Sequence, residues 1–423
     1  MTKSGARFFK TAGGEKRACM VLRHNGYRWL LLGLIVLTTM FNVTMPTMAV
    51  SVLSKEISLD LGLNVVQVGI VWGIGALPGI IFSLVGGAIG DRLGPKRVLV
   101  ASSLLAGLLG AARGLADSFL SISVLLVLQG GLLPVIVMNS FKTASQWFPP
   151  RQLGLANGLI GSGMALGFFL GSLLSANVLS PLLGGWRMVL IAYGLVGATL
   201  AVPWAFTRAA PNLAQTTDAS LSVWQAMRHV AGVRDIRLLG LALFGIFGAV
   251  QGLLGYLPLY LRNLGWPPAS ADGTMAAFNL ASLLFVMPIA LYSDRLGSRK
   301  HLLLAAAVIT ALGIGLLSIA GGGWIWAAVL LAGFVRDGFM ATFITMVIET
   351  DDIGALYAGS AVGYVNAFSG LGNVVAPPLG NSLSALGAGA PFAFWSALVV
   401  AGTLCLALTR RKKVEAVAPT PAD

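Results

Sequence analysis

Gly87-Ala88-Ile89-Gly90-Asp91-Arg92-Leu93-Gly94-Pro95-Lys96-Arg97 and Ser293-Asp294-Arg295-Leu296-Gly297-Ser298-Arg299-Lys300 share an Asp-Arg-Leu-Gly core, 203 residues apart. In a chain of 423 residues that offset is close to half the length. One polar loop copied at matching places in two halves means an internal repeat. Each copy follows a long apolar run and precedes another, so the repeated unit is a set of apolar segments.

A bilayer core asks for about 20 consecutive apolar residues in a helix. Runs of that size occupy 29–53, 66–90, 98–115, 121–147, 154–179 and 188–206. After a polar stretch they resume at 238–261, 273–292, 302–320, 324–348, 358–379 and 392–409. Composition agrees: 57% of residues are hydrophobic and 10% charged, against roughly 25% charged in soluble domains. Mean hydropathy is +0.85, so most of the surface has to face lipid. The first run is too long for a signal core and lacks a small-residue cleavage site, so it reads as a retained helix. Segmentation follows as a basic N-terminus (1–28), a first six-helix bundle (29–206), a linker (207–237), a second bundle (238–409) and a tail (410–423). Within the linker, Leu221, Trp224, Met227 and Val230 recur at helical spacing, which predicts a short amphipathic helix on the membrane surface.

Lys and Arg number 28. With the N-terminus inside, 23 of the 28 lie in cytoplasmic segments, and Lys55, Arg113, Arg187 and Arg262 fall outside. That bias predicts an inner-membrane protein with both termini cytoplasmic, and it accounts for the net charge of +13 without a nucleic-acid partner. Cys19 and Cys405 form no metal-spaced cluster, and His24, His229 and His301 lie outside the apolar runs, which excludes a histidine relay in the membrane. No nucleophile–base set or phosphate loop appears, so neither enzyme chemistry nor a cofactor is expected.

The motif Gly-x-x-x-Asp-Arg-x-Gly-x-Lys/Arg at Gly87 to Arg97, with its degenerate copy at Asp294, resembles the signature loop of the major facilitator superfamily. Trp147-Phe148-Pro149-Pro150-Arg151 with Gly154, Ala156 and Gly158 is similar to that family's loop into helix 5, and Gly185-Trp186-Arg187 to its loop into helix 6. The resemblance spans the whole chain. It implies an all-α polytopic fold of twelve transmembrane helices in two six-helix bundles around a cavity lined by helices 1, 4, 7 and 10. It also implies a secondary active transporter working by alternating access, with a small-molecule substrate and protons as coupling ion. Two motifs of the family's drug/proton antiporters are missing. Leu126 stands where an arginine would precede Gln129-Gly130, and helix 5 lacks a Gly-Pro pair.

Polar residues do collect in the lining helices. Asn42, Gln129, Asn139, Gln251, Tyr256 and Tyr364 are substrate-contact candidates, with Trp72, Asn157, Asn279, Asn366 and Asn373 behind them. Each buried amide could equally bond a neighbouring helix. Arg336 lies twelve residues from either end of its run, about 18 Å of helix, too deep to snorkel. It reads either as an anion contact or as half of a structural charge pair. Asp337, the only carboxylate inside any run, reads as the proton site. Two functions remain open: proton-coupled uptake of a small anionic or polar solute, and export of hydrophobic compounds. A monomer is expected.

The inner gate is expected between Asp91, Arg92 and Arg97 of the first loop and Glu349, Asp351 and Asp352 before helix 11, with Asp294 and Arg295 forming a weaker counterpart. Free N–H groups and the positive dipole end at the start of helix 11 would meet Asp91. Asp91→Asn should therefore favour the inward-open form, read as faster labelling of a cysteine placed in the cytoplasmic half of the cavity. Equal labelling in variant and parent would assign the gate to other residues.

Overall fold

The computed structural model describes residues 12–208, 223–295, 299–334 and 336–410. Among them there is no strand, and twelve long helical segments follow the twelve apolar runs. In the first half these are α1 (Gly26–Val52), α2 (Val65–Ile74, continuing as Ala76–Leu93), α3 (Pro95–Leu115), α4 (Phe119–Trp147), α5 (Arg151–Leu183) and α6 (Trp186–Phe206). The second half holds α7 (Arg234–Asn263), α8 (Pro268–Arg295), α9 (Arg299–Leu316), α10 (Trp324–Gly333 and Arg336–Ile348), α11 (Gly354–Ser382) and α12 (Ala390–Ala407). Ten of them are long and apolar enough to cross a bilayer.

Packing separates the chain into two six-helix bundles. In the first, α3 packs on α4 and α6, α2 on α4, and α1 on α5; in the second, α7 packs on α11 and α12, and α9 on α10 and α12. The main crossings between bundles are α2 on α11 and α5 on α8. A shift of six helices exchanges one crossing for the other, as the internal repeat requires.

Both bundles are closed at the same face. Lys96, from the first repeat loop, donates to the Thr207 carbonyl at the end of α6. In the second repeat loop Lys300, one place beyond the register of Lys96, donates to the Ala407 carbonyl at the end of α12 at 2.8 Å. Each lysine thus satisfies carbonyls that its helix terminus leaves free, and its charge complements the dipole end there. Tyr27 at the start of α1 accepts from the Arg208 N–H, and Asp235 at the start of α7 accepts from the Arg410 N–H. We refer to this side as the terminal face, and to the opposite side as the far face.

The linker helix forms over Val223–Gly232. Its apolar face meets protein: Ala226 and Val230 are buried, and His229 stacks on Tyr357 of α11 with ring centroids 4.1 Å apart. The His229 Nε2 also lies 3.0 Å from the Asp352 carbonyl. This linker helix is therefore docked on the second bundle.

Small residues set how closely helices approach. A Cβ on Gly130 of α4 would sit 2.0 Å from the Gly75 carbonyl oxygen at the break in α2, so these backbones are in direct contact. At Gly158 of α5 nothing lies within 4 Å. Gly130→Ala should therefore overpack the α2–α4 contact by about 1–3 kcal/mol and lower the melting temperature, while Gly158→Ala should be neutral or slightly stabilising. Thermal unfolding in detergent measures both, and equal melting temperatures would show that this contact gives way without strain.

Candidate functional site

At the seam between the bundles lies a cavity of about 340 Å³. The break in α2 at Gly75 and the proline of α4, Pro134, both face it. Its polar lining is Thr47 of α1, Arg113 of α3, Gln129 of α4, Gln251 of α7, and Asn366, Ser369 and Asn373 of α11. Trp72 forms part of the wall nearer the far face. Its indole N–H donates to the Gln251 carbonyl at 2.7 Å, and a Cβ on Gly255 would fall 2.3 Å from the ring, so the indole spans from α2 to α7.

Of the candidates from sequence, Gln129 and Gln251 line this cavity, as do Trp72, Asn366 and Asn373. The others are placed elsewhere. Asn42 sits in a π-turn of α1 (Met40–Thr44) and donates to the Gly197 carbonyl of α6 at 3.2 Å, tying two helices of one bundle. Asn139 donates to the Val135 carbonyl and fills the space left by Gly90 on α2. Tyr256 packs among Tyr260, Phe392 and Trp395, and Tyr364 against Phe368. Arg336 lies over the Phe168 ring of α5 at 5.0 Å and donates to Asn279 of α8 at 3.3 Å; Asn279 in turn donates to Ser172 of α5 at 3.0 Å. The set joins α10, α8 and α5 at the second crossing between bundles. Arg336 is absent from the cavity lining. The side chains of Asp91, Asp294, Arg295 and Asp337 lie outside the described residues.

At the terminal face the acidic segment is engaged by its own half, since Arg299 pairs with Glu349. Arg92 and Arg97 are exposed, as are Asp351 and Asp352.

The far face carries a cluster that the sequence did not point to. Arg262, at the end of α7, pairs with Asp272 of α8 at 2.7 Å and with Glu56 of the first bundle at 2.5 Å. The Arg262 side chain is 4% exposed, Asp272 0% and Glu56 35%. Lys55 donates to the Arg262 carbonyl at 3.0 Å, Asn381 of α11 to the Val65 carbonyl at 2.9 Å, and Ser51 to the Leu254 carbonyl. All of these contacts except the Arg262–Asp272 pair cross from one bundle to the other, so the seam is held at this face. Asp337 is accordingly not alone as a carboxylate within a helix. Asp272 stands one residue before the apolar run 273–292, but α8 begins at Pro268 and so includes it. Proline suits a first helical turn, and that residue was the available signal.

Arg113 was the other omission. Counting it as an external charge overlooked that it lies inside its own apolar run, 98–115; it is 2% exposed, against the cavity. Arg187 fixes the turn that carries it. The Arg187 guanidinium donates to the Gly114 carbonyl at 3.2 Å and to the Ala116 carbonyl, and pairs with Asp60 at 2.9 Å. Beyond the turn, the Ser121 and Ser118 hydroxyls donate to Asp117 and hold its carboxyl below the usual carboxylate range.

The family model described as Major Facilitator Superfamily matches residues 30–354 and 275–423. The chain belongs to the major facilitator superfamily. Among relatives, it is 28% identical over 347 residues to a probable nitrate/nitrite transporter, NarK2, of Mycobacterium tuberculosis, covering 77% of this chain and 82% of that one. Identity to the 3-(3-hydroxy-phenyl)propionate transporter of Escherichia coli is 28% over 355 residues, covering 81% and 83%. The fold is similar to that of the nucleoside transporter NupG, with a TM-score of 0.76 at 12% identity over 90% of this chain and all of that one. As a member of this superfamily the chain is a multi-pass membrane transporter, and the relatives that it resembles are transporters, not enzymes.

The far-face cluster yields a prediction. Glu56→Gln removes the charge that crosses the seam but leaves the Arg262–Asp272 pair, so the far face should open more often. Thr47→Cys, in a background without Cys19 and Cys405, should then react several-fold faster with an impermeant maleimide applied from the far side. An unchanged rate would mean that the uncharged contacts hold the seam unaided.

Proposed function

We propose that this transporter carries out proton-coupled uptake of a small anionic or polar solute by alternating access. The carrying observation is the seam cavity: Gln129 from one bundle and Gln251, Asn366 and Asn373 from the other face one space. A solute bound there touches both halves and can favour one arrangement of them over the other, as a carrier's substrate has to. Rocking of the bundles 29–206 and 238–409 would move access from one face to the other. The relatives named for nitrate/nitrite and for a hydroxyphenylpropionate support an anionic solute.

The positive-inside bias supports an inner-membrane location with the terminal face cytoplasmic. The state described here is then closed on the outside. Arg92, Arg97 and the acidic segment before α11 are the inner-gate partners of the opposite state. Asp337 is the proposed proton site, and its neighbour Arg336 sits in the α5–α8–α10 contact where the bundles meet. A carboxylate there gains stability as an anion from a nearby guanidinium and loses it on desolvation, so its protonation can follow the conformation.

Uptake into proteoliposomes with an imposed proton gradient tests the reading. The parent should accumulate solute against its gradient, and Asp337→Asn should lose accumulation but keep solute exchange. Full accumulation by Asp337→Asn would remove the residue from coupling, and parent protein indifferent to the proton gradient would remove proton coupling itself.

A further inference from the structure

Arg113 is a buried guanidinium in need of an anion. It is 2% exposed and lines the cavity. Its Nε donates to the Gly110 carbonyl at 3.4 Å, a long contact within its own turn, and its Nη2 is buried without a hydrogen-bond partner. Among the described residues no carboxylate pairs with it. Other cations of the membrane region differ: Arg262 holds two carboxylates, Arg187 holds Asp60, and Arg336 has Asn279 and the Phe168 ring. A charge kept at this depth faces a partner, water or a ligand. Here the space in front of it is the cavity.

The surroundings hold the guanidinium and its neighbours in place beside that space. A Cβ on Gly110 would fall 2.9 Å from the Gln129 Nε2 and 3.8 Å from the Arg113 Nη2, so glycine leaves room where amide and guanidinium converge. Gln129 is itself held, donating to the Ala106 carbonyl at 3.0 Å. Gly114 packs under Arg187, where a Cβ would lie 2.4 Å from the Arg187 carbonyl oxygen. The donors are therefore positioned before any ligand arrives, which reduces the ordering cost of binding.

We propose that Arg113 is the anion ligand of this cavity, and that the solute is a small organic carboxylate with an apolar body. This rests on the uptake reading above and deepens it. A planar guanidinium matches the two oxygens of a carboxylate. The remaining walls include Val71, Ile80, Leu126, Leu133 and the Trp72 indole, which suit a hydrocarbon or aromatic body. At about 340 Å³ the space falls within the range of organic-ligand pockets, and an inorganic anion of a few atoms would leave most of it unfilled. The amides of Gln251, Asn366 and Asn373 then remain for hydroxyl or carbonyl groups on the body.

Equilibrium binding to purified protein in detergent tests this without any transport step. The probes are 3-phenylpropionate, its isosteric amide 3-phenylpropanamide, and nitrate. Parent protein should bind the carboxylate at least tenfold more tightly than the amide and than nitrate. In Arg113→Gln that preference should vanish, and Arg113→Lys should retain part of it because the charge remains but the fork is lost. Parent protein that binds carboxylate and amide equally overturns the proposal with no variant needed, and nitrate as the preferred ligand overturns the organic part of it. Full carboxylate preference in Arg113→Gln assigns the anion to another residue. The uptake reading fails separately, when parent protein binds 3-phenylpropionate but moves it across no membrane under any ion gradient.

Discussion

Charge inside this molecule has to be matched inside it, because the hydrocarbon around the helices offers neither counterion nor hydrogen bond. That constraint explains more of the architecture than apolar packing does. Asp272 is fully buried and is tolerable because Arg262 meets it at 2.7 Å. Arg336 rests on an aromatic face and an amide contributed by two other helices. Each match draws helices together, and two of them lie where the bundles meet. Arg113 is the exception, a residue of the cavity wall with a buried donor that no hydrogen bond answers. Among the described residues the other buried cation, Arg262, is answered by carboxylates, and it is this exception on which the proposed solute site rests.

The chain showed its fold at the level of repeats and runs. The Asp-Arg-Leu-Gly copies fall one in each of the two halves into which packing divides it, and a lysine from each loop, Lys96 and Lys300, caps a helix end, although Lys300 stands one place further from its Asp-Arg-Leu-Gly core. Gln251 was legible as a polar residue midway along an apolar run, and Gln129 as one inside a run beside Pro134. What could not be read was direction around the helix. Arg336 is deep, but depth alone does not say which neighbours its helix presents it to, and the structure turns it to α5 and α8. Arg113 lies near a helix end, where snorkelling to water is the ordinary outcome; the Gly114 turn bends it inward instead. Asp272 was missed for a third reason: α8 starts several residues before its apolar run does.

The two crossings between bundles are unlike in chemistry. Between α2 and α11 the backbones nearly touch, and a Cβ on Gly73 would lie 2.5 Å from the Asn373 carbonyl oxygen. Small residues there let one helix slide or tilt on the other without a side chain having to withdraw. Between α5 and α8 the contact is polar, through Ser172 and Asn279. A rearrangement of the bundles has to replace those hydrogen bonds, but at the α2–α11 crossing it mostly changes an angle.

The three charges at the far face divide unequally between water and protein. Asp272 and Arg262 belong to the same bundle and are dry, whereas Glu56 comes from the other bundle and is one-third exposed. Separating the bundles therefore cuts the wet bond and spares the dry one. The carboxylate that departs is rehydrated at once, and the arginine left behind still has its counter-charge. A molecule that parted along this line, as the proposed rocking of the bundles requires, would break the one ion pair of the cluster whose rupture strands no charge in oil.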